Sequence, residues 1–170
     1  MRLQTKNTIL LSIGTLLYFL VNVQCVTIPG AVFDELQHDF GLSASGVTML
    51  GAVFMYVYAL NQLLIGLFAD RFGGFRVIGV GLVAFGAGAG LFPYADSLWL
   101  LCLSRIITGL GASTIYLSLV KEYAVRFDRN FALMLGLIIL VGYAGGIAAG
   151  GPLVAGVMFW GWRTMMKSIA

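Results

Sequence analysis

Five long apolar runs constrain this chain more than any other feature. They cover roughly residues 8–28, 45–68, 75–92, 98–119 and 131–159. A helix crosses the hydrocarbon core of a bilayer with about 20 mostly apolar residues, and each run is near that length or longer. Each is apolar on nearly every side, whereas a helix on a water-soluble protein keeps a polar face. A membrane β-barrel would show short alternating segments instead. The reading is an all-α membrane protein, a bundle of five transmembrane helices. Composition agrees: 60% of the 170 residues are hydrophobic and 10% are charged. A soluble domain has about a quarter of its residues charged, so the charges here are too few to cover a water-facing surface.

Charge placement predicts the orientation. With the amino terminus in the cytoplasm and the spans alternating, Arg2, Lys6, Arg71, Arg76, Lys121, Arg126 and Arg129 lie inside. Only Arg163 and Lys167 lie outside, and Arg105 falls within a span. This bias follows the positive-inside rule and predicts a multi-pass protein of the cytoplasmic membrane. Arg2 and Lys6 precede the first run as in a secretory leader. That run is longer than a signal core, however, and no small-x-small cleavage site follows closely before Pro29, so it is expected to stay as the first span. Trp99, Trp160 and Trp162 mark the outer boundary, where amphipathic rings favour the headgroup level. Once the helices are embedded no basic face remains for nucleic acid.

The outer loop after the first span carries Val32, Phe33, Leu36 and Phe40 at helical spacing, which predicts a short amphipathic helix. Ser43 is the expected cap of the second span. Glycines recur within spans. Gly86 with Gly90, and Gly142 with Gly146 and Gly150, form small-xxx-small patterns that let helices approach closely. Pro152 lacks a backbone N–H and is expected to bend or loosen the fifth span.

Three motifs carry a family resemblance. The loop after the second span reads Gly66-Leu67-Phe68-Ala69-Asp70-Arg71-Phe72-Gly73-Gly74-Phe75-Arg76. It resembles motif A of the major facilitator superfamily in sequence and in place, departing at Gly74 and Phe75, where basic residues are usual. In the fourth span Arg105, Gly109 and Gly111 resemble motif B, with Thr108 in place of the usual glutamine. In the fifth, Gly151, Pro152 and Gly156 are similar to the second part of motif C, with Ala155 in place of a glycine and Ile147 where the leading glycine belongs. The resemblance covers essentially the whole chain. It implies the amino-terminal portion, helices 1–5, of a secondary transporter that moves a small solute by alternating access. It also implies that Gly66, Asp70, Arg71, Gly73 and Arg76 form a gating loop. The alternative is a truncated, non-transporting membrane protein, or a half-transporter that self-associates or needs a complementary half.

The family's central cavity is lined by helices 1, 2, 4 and 5 of this half. That makes Tyr18, Asn22, Tyr58, Gln62, Tyr116 and Tyr143 candidate solute contacts, with Thr15 and Asn61 nearby. Interhelical hydrogen bonding would explain these polar residues nearly as well. Arg105 is the only charge deep in a span. It points to an anionic solute or to a charge-compensating role, and it is expected either to pair with polar groups inside the bundle or to snorkel outward. No nucleotide loop, catalytic constellation or metal-ligand spacing appears, and Cys25 and Cys102 give no disulfide framework. The chain is read as a non-enzyme with no cofactor.

Overall fold

The computed structural model describes residues 2–127 and 130–169. Arg129 and the side chains of Arg2 and Lys6, counted above on the cytoplasmic side, lie outside what is described. The elements are α1 (Arg2–Gly30), α2 (Phe33–Phe40), α3 (Ala44–Phe72), α4 (Gly74–Leu91), a 3-10 turn (Phe92–Tyr94), α5 (Leu98–Arg126), α6 (Phe131–Gly150), α7 (Pro152–Trp160) and α8 (Trp162–Ser168). No strand occurs among the described residues. Five stretches are long and apolar enough to cross a membrane: most of α1, then α3, α4 with the 3-10 turn, α5, and α6 with α7 taken together.

The boundaries follow from local chemistry. Ser43 caps α3 by accepting a hydrogen bond from the Gly46 N–H (3.3 Å), and Ser97 caps α5 by accepting from Leu100 (3.3 Å). Gly73 (φ 87°) and Gly161 (φ 80°) turn the chain between helices in a region closed to most side chains. Ile28 leaves helical geometry (φ −117°, ψ 115°), as a residue preceding proline tends to do. The fifth span is one run in sequence but two helices in structure. α6 stops at Gly150, and Pro152 opens α7 at a position where its missing N–H is not needed.

α5 is the hub. It runs along both α3 and α4, and α1 packs against it and against α6. The α4–α5 contact is made close by small residues. Gly74 meets Glu122 and the Ser118 carbonyl, Gly81 meets Thr114, and Gly88 meets Thr108 and the Ser104 carbonyl. These three glycines are seven residues apart and so share one face. From the other side, Gly111 of α5 meets the Phe85 backbone. The close face of α4 is therefore not the Gly86/Gly90 pair, since both of those face open space. In α6 the contact is made by Gly142 on Tyr18, Gly145 on Phe19 and Gly146 on Val26, while Gly150 faces open space.

One end of the bundle, the tryptophan end, is closed by α2 and α8. Val32 and Leu36 of the amphipathic segment are fully buried against Leu50, Leu101 and Trp162. The Trp162 indole N–H donates to Asp39 (2.8 Å). Arg163 donates to the Pro93 and Ala95 carbonyls (2.9 and 3.2 Å) while lying over the Trp162 ring. The Trp162 bond, with a smaller share from His38, holds the Asp39 carboxyl below the usual carboxylate range. The opposite, basic end carries Asp70, Arg71, Arg76, Lys121 and Arg126.

Two outcomes follow. Gly81→Ala forces a Cβ into Thr114 and should cost roughly 1–3 kcal/mol. Gly79→Ala enters open space and should cost nothing, so thermal unfolding in detergent should separate the two. Because its folded pKa is depressed, Asp39 contributes stability above the ordinary carboxylate range, about pH 4. That contribution is lost as pH falls through the depressed value. An acid transition in tryptophan fluorescence should appear in the parent chain and vanish in Asp39→Asn.

Candidate functional site

A cavity of about 170 Å³ lies between α1 and α3. Tyr18, Val21, Asn22 and Cys25 project into it from α1, and Phe54, Met55 and Tyr58 from α3. Tyr116 of α5 stacks on Tyr18 with ring centroids 5.0 Å apart. The Asn22 amide donates to the Tyr18 carbonyl (2.9 Å), and the Cys25 thiol lies 3.6 Å from the Met55 sulfur. Tyr58 stacks on Phe54 at 6.0 Å. The structure thus brings together Tyr18, Asn22, Tyr58 and Tyr116. Gln62 is half-buried one turn further along α3.

Tyr143 sits on α6, outside the cavity between α1 and α3. Its side chain is 69% exposed and does not line the cavity. The reason is register: Gly142 is the α6 residue pressed on Tyr18, and the next residue points about 100° away around the helix. Thr15 and Asn61 serve interhelical bonds instead. The Thr15 hydroxyl pairs with the Tyr123 hydroxyl (2.7 Å), and Asn61 donates to Ser113 (2.7 Å).

Arg105 lies next to the cavity. It is 1% exposed, so it does not snorkel. Its guanidinium carbon sits 4.4 Å from the centroid of the Phe54 ring. Among the described residues its Nε and Nη2 have no hydrogen-bond partner. The expected pairing with polar groups is therefore absent, and the cation rests on an aromatic face. Such a contact returns roughly 2 kcal/mol when desolvated, against a desolvation cost of several kcal/mol. The glycines of this motif are packing surfaces. Gly109 lets the Phe54 carbonyl of α3 approach, as Gly111 does for α4.

At the basic end, Asp70 pairs with Lys121 of α5 (2.6 Å), and Lys121 also donates to the Ala69 carbonyl (2.6 Å). In sequence Lys121 counts only toward the charge bias that sets the orientation. The signal available was only that it is a basic residue at the same end as Asp70. Glu122 pairs with Arg126, whose guanidinium lies over Phe75 at 4.9 Å. Gly66 faces Leu117 of α5, Arg71 lies over Phe72 at 5.5 Å, and Arg76 is exposed and lines an apolar groove formed by α3, α4 and α5. At the α6–α7 break, Gly151 and Pro152 are exposed and Gly156 packs on Met165. No cluster of His, Cys, Asp and Glu that could hold a metal occurs among the described residues.

The family model described as Major Facilitator Superfamily matches residues 11–170. This chain belongs to that superfamily. Among curated relatives, it is 28% identical over 134 residues to a probable sulfoacetate transporter of Cupriavidus necator, covering 77% of this chain and 31% of that protein. It is 33% identical over 96 residues to a probable chloroplastic anion transporter of Oryza sativa subsp. japonica, covering 55% of this chain and 16% of that protein. It is 28% identical over 152 residues to a methylenomycin A resistance protein of Bacillus subtilis, covering 86% and 32%. The match thus spans at most about a third of these relatives' lengths. With its five membrane-capable helices, this facilitator-superfamily chain is a multi-pass membrane protein of a transporter family.

Proposed function

We propose that this chain forms the amino-terminal wall of a secondary carrier that moves a small organic anion across the cytoplasmic membrane by alternating access. The observation that carries the reading is Arg105, a fully buried cation whose Nε and Nη2 find no acceptor. A charge held at that depth in a membrane bundle marks a solute path by default. It stands beside a cavity with three polar side chains, Tyr18, Asn22 and Tyr58, suited to orienting a small solute. A sulfoacetate transporter and an anion transporter among the relatives favour an anion over the antibiotic class.

In this reading the amino terminus is cytoplasmic and the basic end faces the cytosol. Gly66, Asp70, Arg71, Gly73 and Arg76 form the gating loop, and Asp70 exchanges its Lys121 contact for groups on the opposing bundle as the carrier rocks. The Gly151–Pro152 break and Gly156 give α6 and α7 a place to bend, since Pro152 has no N–H to bond back into α6. The opposing wall comes from further family-like helices, in the same or a second polypeptide. Alternating access needs two bundles moving about a shared site, so these helices alone give no coupled uptake. No Asp or Glu lies deep in the described spans. A coupling carboxylate, if the carrier uses one, belongs to the opposing wall.

Reconstitution of the carrier completed with its opposing bundle tests this. Saturable uptake of radiolabelled sulfoacetate should fall at least about tenfold in Arg105→Ala, the scale of one lost charge-assisted hydrogen bond. Arg105→Lys should recover it only in part, because lysine lacks the planar fork. Undiminished uptake by the alanine variant would overturn the reading.

A further inference from the structure

The cavity and Arg105 are adjacent, yet Arg105 does not line the cavity. Phe54 belongs to both: it lines the cavity, and its ring lies against the guanidinium. We infer that Phe54 is the specificity-determining shutter of this site, a side chain that screens Arg105 from the cavity and is displaced when an anion with two coplanar acceptor oxygens binds. The inference rests on the anion reading above and adds to it which side chain must move and which anions qualify.

The chemistry of the orphaned atoms sets the ligand class. Nε and Nη2 are the two nitrogens of one guanidinium edge, and their N–H groups point the same way in parallel. That edge matches two oxygens of a carboxylate or sulfonate in a bidentate pair. A ring face cannot serve it, because an aromatic ring interacts with the guanidinium as a whole through its quadrupole and accepts no in-plane hydrogen bond of comparable strength. The guanidinium is thus held but not satisfied. Phe54 itself is 1% exposed and stacked on Tyr58, a cavity residue one turn away. A rotation of Phe54 therefore also moves the wall on which Tyr58 stands, coupling entry of an anionic head to the polar contacts that would hold its tail. A monatomic anion such as chloride cannot bridge both N–H groups and gains only Coulomb attraction.

The test is the rate at which phenylglyoxal modifies Arg105 in the purified full chain, read by peptide mass spectrometry. Phe54→Leu is the main variant because it keeps much of the apolar volume, and Phe54→Ala is the second. Arg105 should be slow to react in the parent chain. It should react at least about tenfold faster in Phe54→Leu, the factor expected when a cation–π contact of ordinary strength is removed. Methanesulfonate or acetate should protect Arg105 in the variant at lower concentration than in the parent, and chloride should not protect it. Equal rates in parent and Phe54→Leu, with both folded by circular dichroism, would overturn the shutter while the transport loss in Arg105→Ala could still stand. A fast-reacting Arg105 that neither methanesulfonate nor acetate protects would sink the anion reading itself.

Discussion

A bilayer core supplies no hydrogen bonds, and the rest of this structure depends on how α5 meets that constraint. Four of its hydroxyl side chains are satisfied within the helix. Ser104, Thr108, Ser113 and Thr114 each donate to a carbonyl three or four residues back, at 2.7–2.8 Å. Polar residues can then sit at helix contacts without needing a partner across the gap. The surface that remains is small and smooth, and Gly74, Gly81 and Gly88 of α4 close on it directly. In lipid such close packing replaces the hydrophobic driving force that holds soluble helices together. α3 and α4 flank α5 through Gly109 and Gly111, and this enclosure is what puts Arg105 inside protein rather than against lipid.

Against that satisfied background Arg105 stands out. Among the described residues two other buried atoms of α5 lack a partner, Ser118 Oγ and Arg126 Nε, and Arg126 is paired through its Nη1 with Glu122. Arg105 differs from these in holding a full charge at span depth with one whole guanidinium edge unpaired, and such a departure from polar satisfaction marks a site where function sets the terms. The aromatic cover of Phe54 is a partial compensation. In the proposed carrier, it fits a side chain that must be stable without solute and available to it.

Much of this was legible in the chain itself. The five spans follow from length and apolarity, the break at Pro152 from its missing N–H, the α3 cap from Ser43, and α2 from the spacing of Val32, Leu36 and Phe40. Tyr18, Asn22 and Tyr58 line one cavity and Tyr116 stacks on Tyr18; in sequence only the resemblance put these separate helices around a common space. Other features depend on how helices rotate against one another, which spacing does not report. The close face of α4 is the heptad Gly74–Gly81–Gly88 rather than Gly86–Gly90, and the α6 residue pressed on Tyr18 is Gly142, with Tyr143 beside it exposed. Asp70–Lys121 and Asp39–Trp162 join residues 51 and 123 positions apart. Partners that distant are fixed only by the fold. That Arg105 would find an aromatic ring instead of a polar group was likewise invisible, because Phe54 reads in sequence as one more apolar residue of a span.

The two polar ends of the bundle have different chemistry, and the proposed orientation rests on that difference. One end gathers Arg71, Arg76, Lys121 and Arg126. The other gathers Asp39, Asp96 and the three tryptophans. The most direct measurement of the central claim, a membrane bundle with its basic end in the cytosol, is labelling of intact cells with an impermeant maleimide. Single cysteines would be introduced as Arg71→Cys, Asp96→Cys and Ala124→Cys, in a chain whose Cys25 and Cys102 have been replaced by serine. Only the Asp96 position should react from outside, with the other two labelled after the membrane is opened. External labelling at the Arg71 or Ala124 position, with none at Asp96, would contradict the orientation and the transport geometry built on it.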